Sequence, residues 1–141
     1  MALKATKAEV WAVSIDDHAG GVADKLEPLA KAGANFEMVF ARRTPENPGK
    51  GMLFVTPVKG AKVTRAAREA GMGTPQTIYS VRIEGTDRPA LGAKIARTLG
   101  DAGISFRGIS GIAIGRKFLS YVACDSAEDQ AKAIAAMKKL K

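Results

Sequence analysis

The chain contains an internal repeat. At an offset of 70 residues, Asp16 to Phe36 aligns with Thr86 to Phe106, and six of the 21 aligned positions are identical. These are Asp17 with Asp87, Ala23 with Ala93, Leu29 with Leu99, Ala32 with Ala102, Gly33 with Gly103, and Phe36 with Phe106. Small changes of offset extend the match, placing Val13 and Ile15 on Val81 and Ile83, and Phe54 and Val55 on Tyr121 and Val122. A duplicated unit must build the same local structure twice. Units of about 70 residues bury little surface alone, so the two copies are expected to dock.

Each copy reads strand, helix, strand, strand, helix. In the second, Tyr79, Val81 and Ile83 alternate with polar residues as a half-buried strand does. A helix follows from about Pro89, with Leu91, Ile95 and Leu99 on one face and Gly103 placed to end it. Ile104, Phe106 and Ile109 to Ile114 form the next strand, which turns at Gly115, Arg116 and Lys117 into Phe118 to Cys124. Ser126, with Asp129 three positions on, resembles a capping box for a last helix carrying Ile134, Met137 and Leu140.

The first copy repeats the plan with strand Val10 to Ile15, a helix around Val22, Leu26 and Leu29, strands Phe36 to Ala41 and Met52 to Thr56, and a helix from Gly60 to Ala70. Pro28 falls inside its first helix, where it removes a hydrogen bond. The hairpin segment Arg42 to Gly51 holds two prolines and two glycines and reads as a long, mobile loop. Gly71 to Gln76 reads as the linker. The pattern predicts an α+β chain of two tandem ferredoxin-like (βαββαβ) units, with antiparallel sheets and helices on one face. The division expected is 1–72 and 73–141, with the final strand of each unit formed within or between copies.

The 141 residues are 46% hydrophobic and 26% charged, a soluble globular balance. Apolar runs such as Gly51 to Val55 and Phe118 to Cys124 fall well short of the ~20 residues of a membrane span, and no signal-peptide pattern follows the N-terminal lysines. A cytoplasmic location is expected, without membrane contact. A single cysteine, Cys124, excludes an internal disulfide framework, and it reads as an apolar strand residue. One histidine, no phosphate-binding glycine loop and no paired-histidine spacing argue against an enzyme, a metal site or a cofactor.

The informative segments join the first strand to the first helix of each copy. The second reads Asp87-Arg88-Pro89-Ala90-Leu91, and its helix ends Ala102-Gly103-Ile104 before the next strand; the first reads Asp16-Asp17-His18-Ala19-Gly20-Gly21. The second copy resembles the ACT domain family, whose Asp-x-Pro-Gly-x-Leu turn leads into such a helix, and the repeat extends the resemblance to the first. It implies a non-catalytic regulatory module that binds an amino acid at the interface between two units, read out through a homodimer or a regulated protein partner.

That resemblance also implies the candidate ligand-binding residues: Asp16, Asp17, His18, Ala19, Gly20 and Gly21 in the first turn, and Asp87, Arg88, Pro89, Ala90 and Leu91 in the second. The chemistry agrees. A helix N-terminus offers N–H groups and partial positive charge to a ligand carboxylate, a turn carboxylate can receive an ammonium group, and glycine lets a ligand approach the backbone. The first turn keeps Gly20 where the second has Ala90, so the first is the better cradle. Asp17 and Asp87 equally suit helix N-caps, and His18 suits an exposed turn. The alternative function is a basic nucleic-acid-binding adaptor, since the net charge is +8. No cationic run exceeds two residues, and the aromatic residues do not reproduce the RNA-recognition signature, so nucleic acid is disfavoured as a partner.

Overall fold

The computed structural model describes residues 3–74 and 78–140. It is α+β, with antiparallel sheets and four helices. Strands β1 (Lys4–Ala8) and β2 (Trp11–Asp16) precede α1 (Gly21–Lys31), followed by β3 (Met38–Arg43), β4 (Lys50–Thr56) and α2 (Ala61–Glu69). Then come β5 (Tyr79–Thr86), α3 (Leu91–Asp101), β6 (Phe106–Ile114), β7 (Lys117–Cys124) and α4 (Ala127–Lys139).

The chain divides into two compact units, Glu9–Pro75 and Met1–Ala8 with Gln76–Lys141. This corrects the expected boundary: the N-terminal segment belongs with the second copy. The reason is backbone pairing, because β1 runs antiparallel to β5 from Lys4↔Glu84 to Ala8↔Ser80. The sheet order is β1-β5-β7-β6, so β1 fills the outer place that a strand following α4 would take in the expected order. Leu3 and Ala5 are buried there, in a core with Val81, Ile83, Leu91, Ile95, Leu99, Val122 and Met137.

The other sheet has order β2-β4-β3. Beside β2 lies a further bridge, with Ala12 and Gly73 exchanging backbone hydrogen bonds of 2.8 and 3.2 Å. Met72 is buried in this unit's core with Trp11, Val13, Ile15, Leu29, Leu53, Val55 and Ala67. Gly71 to Thr74 therefore belong to the folded unit and are not a free linker; Pro75 and Gln76 of the expected linker lie outside the described residues.

Helix ends follow local chemistry. Gly33 and Gly103 take φ of 97° and 76°, and the residue after each donates back to Leu29 and Leu99, closing both helices as left-handed glycines do. Asp129 N–H donates to Ser126 Oγ at 3.0 Å, capping α4 as expected. Pro28 lies inside α1. The hairpin between β3 and β4 is tighter than expected, because the strands extend to Arg43 and Lys50 and the tip closes through Thr44, Asn47 and Lys50 backbone bonds.

Among the described residues, all five strongly exposed large hydrophobic side chains lie on two strands: Val39 and Phe40 on β3, and Ile109, Ile112 and Ile114 on β6. These strands occupy the same place in the two repeats, and each is the edge of its sheet.

Candidate functional site

Strand β2 ends at Asp16, and the turn to α1 is held by backbone bonds. Asp17 N–H donates to Gly49 O, His18 N–H to Asp16 O, and Gly21 N–H to His18 O, at 3.0 to 3.1 Å. The N-cap of α1 is Gly20, left-handed at φ 88°, with no side chain capping the helix. Asp17 is therefore no N-cap. The equivalent N-cap of α3 is Ala90, left-handed at φ 66° and likewise without a side-chain cap, so Asp87 is not a cap either.

A Cβ built at Gly20 meets no protein atom within 4 Å, so what favours glycine there is its left-handed backbone and not crowding. Crowding acts one residue later, where a Cβ on Gly21 would run into the Asp16 carbonyl oxygen. The contrast drawn between Gly20 and Ala90 is thus one of strain, since both adopt the same helix-opening conformation.

Two ion pairs tie the first turn to the β3–β4 hairpin. Arg43 Nε donates to Asp17 Oδ2 at 2.8 Å, and Lys50 Nζ donates to Asp16 Oδ1 at 2.6 Å. The hydrogen bond from Lys50, reinforced by its charge, holds the Asp16 carboxyl below its ordinary value. His18 Nδ1 donates to the adjacent Ala19 carbonyl at 2.8 Å.

A cavity of about 200 Å³ opens here, lined by Ile15, Asp16, Asp17, His18, Val22, Ala41, Arg42, Arg43 and Gly51. Its location follows from the sheet register. Ile15 pairs with Gly51, and Gly51 pairs with Arg43, so a residue without a side chain sits between the turn strand and the edge strand. In the other unit the residue one step into the hairpin strand is Phe118, paired with Gly85 and Ala113. The Phe118 ring lies over Gly111, and Leu3 lies over Gly85. Gly51 is enclosed in its turn, since a Cβ there would meet the Arg42 carbonyl oxygen and the Ile15 side chain.

Of the residues proposed from sequence, the structure brings Asp16, Asp17 and His18 to the cavity, with Ala19, Gly20 and Gly21 shaping the turn behind them. Asp87, Arg88, Pro89 and Ala90 lie at the equivalent end of the other unit, where Asp87 N–H donates to Arg116 O at 2.7 Å. Arg88 Nη2 is buried without a hydrogen-bond partner among the described residues. Leu91 is 2% exposed and belongs to the core, which makes it a packing residue. Sequence reading missed Arg42, Arg43, Lys50 and Gly51, assigning them to a loop; the cationic pair beside glycines at a hairpin was the available signal. Cys124 is buried, which raises its thiol above the ordinary range and leaves it unsuited to nucleophilic work. Among the described residues no group of acids, histidine and cysteine is placed to hold a metal ion, and no helix is long and apolar enough to cross a membrane.

No family model matches the sequence, and no curated protein matches it. Solved structures do match the fold. The protein BT0572 from Bacteroides thetaiotaomicron superposes with a TM-score of 0.75 at 17% identity, over 93% of this chain and 88% of that one. The regulatory subunit of aspartate kinase from Thermus thermophilus, in its ligand-free form, matches with a TM-score of 0.65 at 19% identity, over 100% of this chain and 98% of that one. A putative C-terminal regulatory domain of aspartate kinase from Porphyromonas gingivalis matches with a TM-score of 0.54 at 15% identity, over 99% and 95%. The chain shares its fold with these regulatory subunits and domains of aspartate kinase, the fold expected from the resemblance to ACT domains.

Proposed function

We propose that the chain is a non-catalytic regulatory module that binds an amino acid at the first turn, between Asp16 and Gly21. The observation that carries this reading is the convergence of Asp16, Asp17, His18, Arg42 and Arg43 with the apolar Ile15 and Val22 on one open cavity beside the N-terminus of α1. At about 200 Å³ the cavity is smaller than the roughly 300–1,000 Å³ of sites for drug-sized ligands and suits a metabolite of amino-acid size. The ligand carboxylate is received at the N-terminus of α1, which has no side-chain acceptor of its own, and Asp17 receives the ammonium group. Two of the solved neighbours are a regulatory subunit and a regulatory domain of aspartate kinase, matched over nearly their whole length, and this supports a regulatory reading over an enzyme.

The readout we propose is association of two copies through the edge strand β6. Its stretch Gly108–Ile114 carries no charge in a chain of net charge +8, so two copies meet there without opposing like charges, and Ile112 and Ile114 become covered. The deciding experiment is a thermal-shift screen of the full chain against the twenty amino acids, because a ligand specific to the folded state raises the midpoint. A dose-dependent rise with one or a few amino acids supports the reading; no shift with any of them rejects it.

A further inference from the structure

We infer that the first-turn site selects an acidic amino acid, one carrying a second carboxylate beside its α-carboxylate. This rests on the reading of the cavity as an amino-acid site and adds the ligand's chemical class. Arg42 and Arg43 line the cavity, and Lys50 reaches it through its bond to Asp16. Against these three cations stand two carboxylates, Asp16 and Asp17, leaving one net positive charge. The partial positive charge at the start of α1 adds to it.

Both carboxylates are engaged by cations from the hairpin, whereas Arg42 Nη1 donates to the neutral backbone carbonyl of Arg43. The donors exceed the bonds they make. A guanidinium has five N–H groups and an ammonium three; Arg43 spends its Nε–H on Asp17, and Lys50 one N–H on Asp16. The Arg43 side chain is largely exposed, so its two terminal Nη groups can meet a carboxylate end-on. A ligand of net charge −1 complements this cluster. A lysine side chain would add a fourth cation to it.

The test is calorimetric titration of the full chain with L-glutamate, L-aspartate, their amides L-glutamine and L-asparagine, L-lysine and L-threonine. An acidic amino acid is expected to bind at least about tenfold more tightly than its own amide, the scale of one charge-assisted hydrogen bond. In Arg42→Gln and in Lys50→Gln, checked for folding by circular dichroism, that preference is expected to shrink by about tenfold or more while the amide's affinity stays put. An amide bound as well as its acid, a preference for lysine or threonine, or an undiminished preference in both variants would overturn the inference while leaving an amino-acid site standing. Binding by none of the six removes the inference; a null result across all twenty amino acids in the thermal-shift screen removes the site as well.

Discussion

Arg43 Nε lies 2.8 Å from Asp17 Oδ2, joining the outer strand of one sheet to the turn that opens α1. The bond spans 26 residues of sequence and sits on the wall of the cavity. Both side chains are substantially exposed, 80% and 35%, so solvent screens the pair and its worth to stability is small. Asp17→Asn is therefore expected to change unfolding free energy by less than about 1 kcal/mol. Its effect on amino-acid affinity is expected to be larger, a loss of about ten- to a hundredfold, because the ligand ammonium loses its acceptor. Chemical denaturation beside calorimetric titration separates the two.

The helix-opening residues make a second prediction. Alanine in the left-handed region costs roughly 1–2 kcal/mol relative to glycine, so Ala90→Gly should stabilise the chain by about 1 kcal/mol and Gly20→Ala should destabilise it by a similar amount. Gly21→Ala should be worse than Gly20→Ala, because its Cβ meets the Asp16 carbonyl and the backbone must move. Urea midpoints of the three variants give the order directly. Gly20→Val, being strained at φ 88°, would report on folding as much as on a ligand.

Acid should weaken the turn in a stated window. Asp16 has its carboxyl lowered by Lys50, so the stabilisation from this pair is fully present above the unfolded carboxylate range near pH 4. It is lost as pH falls through the lower folded value. Lys50→Met removes the cause, and the Asp16 side-chain carbon, followed by NMR, is expected to titrate at higher pH than in the parent protein.

Removing residues 1–8 is expected to destabilise the unit formed by residues 76–141 more than the unit formed by 9–75. The truncation strips a paired strand from β5 and deletes Leu3 and Ala5 from a core that also holds Met137 of α4. Loss of a buried leucine alone costs about 2–5 kcal/mol. Amide hydrogen exchange should show β5 and α4 opening first, with β2 and β4 little changed.

Association through β6 predicts that Ile112→Lys and Ile114→Lys lower any self-association seen by sedimentation, without lowering the unfolding midpoint of the monomer. Both residues are exposed, 56% and 77%, so a lysine there meets water in a single copy. Val39 and Phe40 on β3 provide the contrast: if their lysine variants alone abolish association, the interface lies on the other edge.

The repeat, the helices and most strands were legible in the sequence because they rest on local periodicity and capping: Leu91, Ile95 and Leu99 share a helix face, and Ser126 sits three residues before the N–H it caps. The turn at Asp16 to Gly21 was legible for the same reason, as a strand end running into a helix start. Tertiary pairing alone decided the rest. Strand β1 is short and mostly polar, with Ala5 its one buried residue, so no hydrophobic pattern announces it; its place is set by the open edge of β5. The cations at the cavity likewise come from a hairpin 26 to 34 residues away, brought to Asp17 and Asp16 by the register of β2, β4 and β3. Sequence determines which residues can face one side of an element; which elements lie side by side, and whether Gly51 or Phe118 stands between them, is fixed only when the sheets close.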